Sequence, residues 1–263
     1  MTREWNAEAY HQVSSPQTTW GQRVLARLML DGDERVIDAG CGSGRLTGDL
    51  LDRLPHGQVL AIDRSWNMLQ TARANLRPSH GHHVRFAQAA LPALPVVGWA
   101  DVVFSAATFH WVSDHPALFA HIRSALKPGG RLHAQYGGGP NLARAHALAT
   151  SVMREAPFAE YFRTWQEVWT FSTAEEAAQQ LTGAGFTDVR AWLEHAPTLL
   201  ASADDYRAFI ATVNYRAQVA ALPPSLQNPF LDRITELAGQ QDEPFLLDYW
   251  RVNISATRPS SAP

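Results

Sequence analysis

An apolar run that ends on an acid and passes at once into alternate glycines brings backbone close to a ligand. Val36-Ile37-Asp38-Ala39 leads into Gly40-Cys41-Gly42-Ser43-Gly44-Arg45. Without a Cβ the chain can reverse tightly and present N–H groups at the start of a helix to a bound group. The dinucleotide pattern G-x-G-x-x-G needs its third glycine at position 45, which is Arg45; here it comes one residue early, at Gly44. About twenty residues past the loop the apolar run 58–62 ends on Asp63, where an acid can hold ribose hydroxyls or cap a helix. A third group is His110-Trp111, after Ser105-Ala106-Ala107-Thr108-Phe109. Histidine can accept a proton near neutral pH and an indole face tolerates a cation, while both rings can equally shape a wall. Cys41, the only cysteine, excludes an internal disulfide and a multi-cysteine metal site; it is either small packing beneath a ligand or a thiol with no evident base beside it.

These residues need elements to place them. Trp20, Val24, Leu25 and Leu28 recur at helical spacing over 16–30, and a strand at 35–39 follows the turn Asp31-Gly32-Asp33. Helical segments at 46–54, 65–76 and 115–126 alternate with apolar runs near positions 58, 84, 102 and 131, which implies parallel strands with helices on both faces. Leu126-Lys127-Pro128-Gly129-Gly130-Arg131-Leu132 reads as helix end, turn and new strand. After Gly137-Gly138-Gly139-Pro140 the chain turns helical, and Phe158, Tyr161, Phe162, Trp165, Trp169 and Phe171 gather as a lid or as ordinary core. A helix over 173–182 stops at Gly183-Ala184-Gly185 before a strand at 187–194. The helical stretch 203–240 is a candidate insertion over the site, in which Tyr206, Arg207, Tyr215 and Arg216 line a pocket or form a solvated face. A last strand is expected at 245–257, and 259–263 should fray.

A net charge of −3 without a dense Lys/Arg block argues against a nucleic-acid footprint or a polybasic membrane patch and favours small substrates. No apolar stretch nears the length of about 18 residues that spans a bilayer, and Met1-Thr2-Arg3-Glu4-Trp5 lacks an apolar signal core, so a cytoplasmic protein is expected.

The glycine turn behind Asp38, the acid at Asp63, the strand at 100–105 and Lys127-Pro128-Gly129-Gly130, in this order, resemble the class I S-adenosylmethionine-dependent methyltransferases. The His-Trp pair, the short amino-terminal helix and the late helical insertion are similar to the small-molecule branch that includes trans-aconitate and malonyl-carrier-protein carboxyl methyltransferases. The resemblance implies an α/β fold: a doubly wound, mostly parallel seven-stranded sheet with helical insertions forming a lid. It places 1–258 in a single domain, with lid segments at about 140–171 and 203–240 and a disordered tail at 259–263. It implies S-adenosylmethionine as cofactor, S-adenosylhomocysteine as its product, no metal, and a small-molecule acceptor methylated on a carboxylate or hydroxyl oxygen. Gly40, Cys41, Gly42 and Gly44 would accommodate the methionine end, with Asp38 near its ammonium and Asp63 on the ribose hydroxyls. Arg64 and Ala89 join the cofactor contacts; Met68 lies against adenine or serves as helix-face core; Ser105 and Ala106 form the cleft floor. The family often has an acid near position 90, and here it is Ala90, which leaves a backbone N–H near Ala90 or Leu91 to meet the ring. His110 and Trp111 are the catalytic candidates, although a carboxylate acceptor would need no base. Tyr10 and Trp20 would fold across the cofactor or pack as helix core. A non-catalytic cofactor-binding protein and a nicotinamide oxidoreductase are the competing readings, the second opposed by Arg45 and Asp38.

Overall fold

The structure, a computed structural model, describes residues 15–260; Tyr10 and the last three residues of the expected tail lie outside them. The first half runs α1 (Ser15–Ala26), β1 (Arg35–Ala39), α2 (Arg45–Leu51), β2 (Gln58–Asp63), α3 (Trp66–His80), β3 (Val84–Gln88), β4 (Ala100–Ala106), α4 (His115–Ala125) and β5 (Leu126–Gly137). The second half runs α5 (Ala143–Met153), α6 (Ala174–Gly183), β6 (Thr187–His195), β7 (Thr198–Leu199), α7 (Ala203–Phe209), α8 (Arg216–Ala221), α9 (Pro224–Gly239), β8 (Leu246–Leu247) and β9 (Trp250–Thr257).

Seven strands form one sheet in the order β3-β2-β1-β4-β5-β9-β6. The strands from β3 to β5 are parallel, and β9 runs antiparallel to both of its neighbours. Strand alternation sorts the side chains onto two faces. Val36, Val59, Ala61, Val102 and Phe104 pack beneath Val24, Leu50 and Leu69 of α1 to α3. Ile37, Leu60, Ile62 and Val103 face Leu118 and Ile122 of α4 and Leu181 of α6. Two buried faces explain why these strands read as continuous apolar runs. Caps fix where the helices start: Ser65 Oγ accepts from Met68 N at 3.3 Å, Asp114 accepts from Ala117 N at 2.9 Å, and Thr173 with Glu176 forms a capping box.

A separate core lies over the carboxyl ends of the strands. Phe158, Phe162, Tyr206, Phe209, Tyr215 and Phe230 pack together there, and burial of each large apolar side chain is worth about 1.5–3 kcal/mol. The stretch expected to be helical over 140–171 is so only at α5 and a 3₁₀ turn, Ala159–Phe162. Residues 163–173 are irregular, and their backbone bonds outward: Thr170 N donates to His110 O at 2.9 Å, and Ser172 O accepts from Gly139 N at 2.9 Å. The stretch 203–240, expected as a helical insertion, is divided by a π-helical turn, Ile210–Asn214, and by Pro223-Pro224. The strand expected over 245–257 is broken. Leu246–Leu247 pairs with Thr198–Leu199 in a two-stranded sheet, and Asp248 caps α5 by accepting from Leu142 N on its carbonyl and from Arg144 N on Oδ2, each at 3.0 Å.

Candidate active site

The sheet order reverses between β1 and β4, and an open α/β sheet presents its crevice outside the carboxyl ends of the strands at such a point. A cleft of about 430 Å³ lies there. The ladder continues past the strand ends to shape it: Gly40 N and Cys41 N both donate to Ile62 O, at 2.8 and 2.9 Å, Ala89 N to Asp63 O at 3.1 Å and Ala107 N to Gln135 O at 2.7 Å. At Gly40 (φ 87°) a Cβ would stand 2.7 Å from Thr108 Cβ and closer still to the rest of that side chain. At Gly42 (φ 53°) a Cβ would meet nothing within 4 Å, because this glycine faces the open cleft. One glycine thus permits close packing and the other leaves backbone exposed to a ligand.

Asp63 lines the cleft and is already oriented: Oδ2 accepts from Gly42 N at 2.9 Å and Oδ1 from Ser65 N at 2.8 Å. The helix cap that Asp63 might have supplied belongs to Ser65. Asp38 lies below the turn, buried on the face of Val36, with Oδ2 accepting from Thr47 Oγ1 at 2.6 Å. Its carboxyl is pushed up to about 7, chiefly by burial; the Thr47 hydroxyl opposes this and the Asp63 charge adds to it. Cys41 is buried, and burial together with the Asp38 and Asp63 charges drives its thiol well above the ordinary range, away from reactivity.

At the far end of the cleft Met68 packs with little exposure while still contributing to the wall, beside Ile62, Ala89, Ala90 and Leu91. This end of the cleft is apolar. Arg64, Ala106, Thr108, Val112 and Ser113 complete the strand-end lining, and Glu167, Val168, Thr170 and Arg216 close it from above. Glu167 is held above the usual carboxylate range, burial outweighing its hydrogen bond from Val168 N.

A smaller chamber of about 50 Å³ adjoins the cleft, and Ala107 and Trp111 line both. Its rings come from two regions of sequence: His110 and Trp111 after β4, Trp169 and Phe171 from the irregular segment. Trp169 and Phe171 are stacked with planes 11° apart, and Trp111 leans on Trp169 with centroids 5.7 Å apart. Its one full charge among the described residues is Arg251 of β9, which is buried, with its guanidinium 4.6 Å from the Trp20 ring centroid. Trp20 in turn meets Tyr249 edge-on at 4.8 Å. Gly137 N donates to His110 Nδ1 at 3.3 Å. That bond needs a lone pair on Nδ1, so the neutral ring carries its proton on Nε2. Burial, with the Arg251 and His115 charges, holds the ring well below the ordinary histidine range. His110 is therefore a neutral donor.

Of the residues expected from sequence, Gly40, Gly42, Asp63, Arg64, Met68, Ala89, Ala90, Leu91 and Ala106 line the cleft, His110 lines the chamber and Trp111 lines both. Asp38, Cys41, Gly44 and Ser105 stand behind the walls; Ser105 Oγ donates to Ala39 O at 2.6 Å, tying β4 to β1. Trp20 lies under Arg251 rather than in the cleft. The aromatic cluster divides: Trp169 and Phe171 face the chamber, whereas Phe158 and Phe162 pack on Phe230, and Tyr161 is exposed. Tyr206 and Tyr215 are core, Arg207 pairs with Asp232 at the surface, and Arg216 reaches the cleft. Thr108, Asn141, Asn214 and Arg251 were not singled out by sequence reasoning; only the strand-end position of Thr108 signalled a role. No helix of the described residues is long and apolar enough to cross a membrane.

Residues 36–130 match the methyltransferase domain family. A trans-aconitate 2-methyltransferase of Rhodopseudomonas palustris is 36% identical over 182 residues, covering 69% of this chain and 65% of that protein. Another, of Methylobacterium nodulans, is 32% identical over 194 residues, covering 73% of this chain and 68% of that protein. The chain thus spans about two thirds of the length of these curated relatives. Among solved structures, a Haemonchus contortus phosphoethanolamine N-methyltransferase 2 in complex with phosphomonomethylethanolamine and S-adenosylhomocysteine superposes with a TM-score of 0.62 at 18% identity, covering 96% of this chain and 57% of that one. That likeness speaks to the fold.

Proposed function

Since this chain belongs to the class I S-adenosylmethionine-dependent methyltransferases, we propose that it moves a methyl group from S-adenosylmethionine onto a carboxylate oxygen of a small organic acid. The cleft suits the cofactor: its volume of about 430 Å³ falls within the usual range of ligand pockets, an oriented carboxylate lies at Asp63, and the apolar end lies beside Met68 and Leu91. Asp63 would hold the ribose hydroxyls. Asp38 would supply negative field for the ammonium group, whose arrival favours the ionised carboxyl. Gly42 would let the methionine end approach the backbone. When bound, the cofactor supplies a methyl carbon on a sulfonium sulfur, so a carboxylate oxygen can form the new bond while the carbon–sulfur pair stays on sulfur as the neutral thioether and no proton leaves.

The observation that carries this reading is a histidine on the chamber wall that has no basic nitrogen to offer. A hydroxyl acceptor must lose a proton, and His110 spends its lone pair on Gly137 N. A carboxylate arrives ionised, takes charge-assisted hydrogen bonds from Arg251 and the Nε2–H of His110, and needs only alignment. Esterification removes the negative charge, which weakens the hold of Arg251 and favours release. Trp111, shared by cleft and chamber, would pack where methyl and acceptor meet.

The test is to incubate the protein with labelled S-adenosylmethionine and panels of organic acids and of alcohols, identifying products by mass. Methyl esters are expected, and Arg251→Met should raise KM for the acid by about a hundredfold, the scale of a lost charged hydrogen bond, with S-adenosylhomocysteine binding retained. Methyl ethers without esters would overturn the reading.

A further inference from the structure

A chain of buried hydrogen bonds joins the 3₁₀ turn Phe109–Trp111, which bears His110, to α4, to β5 and to the irregular segment. His115 Nε2 lies 3.0 Å from Phe109 O, its Nδ1 lies 3.1 Å from Ser172 Oγ, and that hydroxyl lies 3.3 Å from Tyr136 Oη. All three side chains are buried. A carbonyl only accepts, so Nε2 carries the ring proton. Burial holds the ring below the ordinary histidine range, against the opposing pull of the Phe109 carbonyl and the Asp114 charge, and the ring is neutral. Nδ1 therefore offers a lone pair, Ser172 donates its single hydroxyl hydrogen to it, and Tyr136 donates to Ser172. The relay runs one way, from Tyr136 to the carbonyl of Phe109.

We propose that His115 is a positioning residue for methyl transfer: Nε2–H fixes the turn that carries His110 and Trp111, and Nδ1 sets that turn in register with the segment that carries Trp169 and Phe171. Three observations support this. First, the chain enters the turn through Ala107 at a φ of 56°, a left-handed conformation that a residue with a Cβ keeps only when its surroundings hold it, and Ala107 lines both cleft and chamber. Second, the buried Phe109 ring meets Phe119 and Tyr136 at 6.3 and 5.7 Å, and the His115 ring meets the same two at 5.9 and 5.5 Å, so one set of neighbours holds both ends of the Nε2 bond. Third, Thr170 N donates to His110 O at 2.9 Å, so a shift of the turn carries Trp169 and Phe171 with it. Trp111 stands at the junction of cleft and chamber, and a misplacement of about 1 Å there can cost about a hundredfold in rate.

The experiment uses the full chain and whichever acid or alcohol of the panels above is methylated fastest, so a failure of ester formation leaves it intact. Nitrogen NMR of histidine-labelled protein, with the His115 signals assigned by their loss in His115→Gln, should show the proton on Nε2 and none on Nδ1. His115→Leu should lower kcat by about tenfold or more, counted per S-adenosylhomocysteine site from calorimetric stoichiometry, while acceptor KM and S-adenosylhomocysteine affinity stay within about threefold. His115→Gln, whose amide N–H can stand at the Nε2 position, should recover kcat to within about threefold of the unmodified protein. Ser172→Ala removes the donor to Nδ1 with little change of volume; it should lower kcat by about threefold and reads the same split where His115→Leu does not fold. A proton on Nδ1 in the unmodified protein overturns the assignment, as does an unchanged kcat per site in His115→Leu, or in Ser172→Ala where that variant alone folds. His115→Gln no more active than His115→Leu also overturns it, because the filled volume and not the N–H would then be what the turn requires.

Discussion

Asp38 links pH to both the fold and the ligand. Its carboxyl is pushed up from 3.8 to about 7 in the native protein, so between those values the native chain holds a proton that the unfolded chain releases. Stability therefore falls as pH rises through this window and levels off above about 7. At about 1.36 kcal/mol for each pKa unit, the contribution of Asp38 between pH 5 and pH 8 comes to a loss of about 2.7 kcal/mol. Asp38→Asn keeps the volume and an acceptor for Thr47 Oγ1 but cannot ionise. Urea unfolding of the ligand-free protein and of the variant across this range separates the effect of Asp38 from that of every other titrating group. The stability of the variant relative to the unmodified protein should rise by about 2–3 kcal/mol from pH 5 to pH 8. If a ligand ammonium pairs with this carboxylate, S-adenosylhomocysteine affinity in the unmodified protein should also weaken as pH drops below about 7, by up to about tenfold per unit, and the variant should lack that slope. Parallel stability curves for the two proteins would refute the assignment of a buried, proton-holding Asp38.

Other consequences are equally direct. Gly40→Ala puts a Cβ into the Thr108 side chain at a φ of 87°, so a loss of about 2–5 kcal/mol is expected, adding left-handed strain to overpacking. Thr108→Gly should restore the overpacking part in a double variant; chemical denaturation showing no recovery would mean that the contact is not what Gly40 relieves. His110→Gln keeps a side-chain N–H donor, and turnover at saturating cofactor should stay within about tenfold; the unmodified protein should show no histidine limb from about pH 6 to 8, because the ring is held well below its ordinary range and is neutral throughout. Activity of the unmodified protein that falls as pH drops through the histidine range, in a limb that the variant abolishes, would make His110 a proton acceptor instead. Ala90, exposed on the cleft wall where the resemblance leads one to expect an acid, should tolerate Ala90→Asp with tighter S-adenosylhomocysteine binding; calorimetry giving equal or weaker affinity would count against the alignment at this position.

Much of the site was legible because it is local in sequence. The turn from Asp38 to Gly44, Asp63 at its strand end, and Ala89 to Leu91 follow three neighbouring parallel strands, so apolar runs and glycine spacing reveal them without knowledge of the sheet. Strands buried on both faces were readable as apolar runs for the same reason, whereas the cap of α3 belongs to Ser65 and not to Asp63. The sequence by itself therefore determined the α/β architecture and the cofactor end of the cleft. The acceptor chamber was decided by tertiary structure. Strand β9, inserted antiparallel between β5 and β6, carries Arg251 to the chamber over Trp20 of the first described helix, and the bond from Thr170 N to His110 O holds Trp169 and Phe171 of the irregular segment beside it. The tautomer of His110 is tertiary too, fixed by the N–H of Gly137 on the adjacent strand. Charge, shape and protonation at the acceptor end arise from contacts between distant parts of the chain, and no spacing along the sequence encodes them.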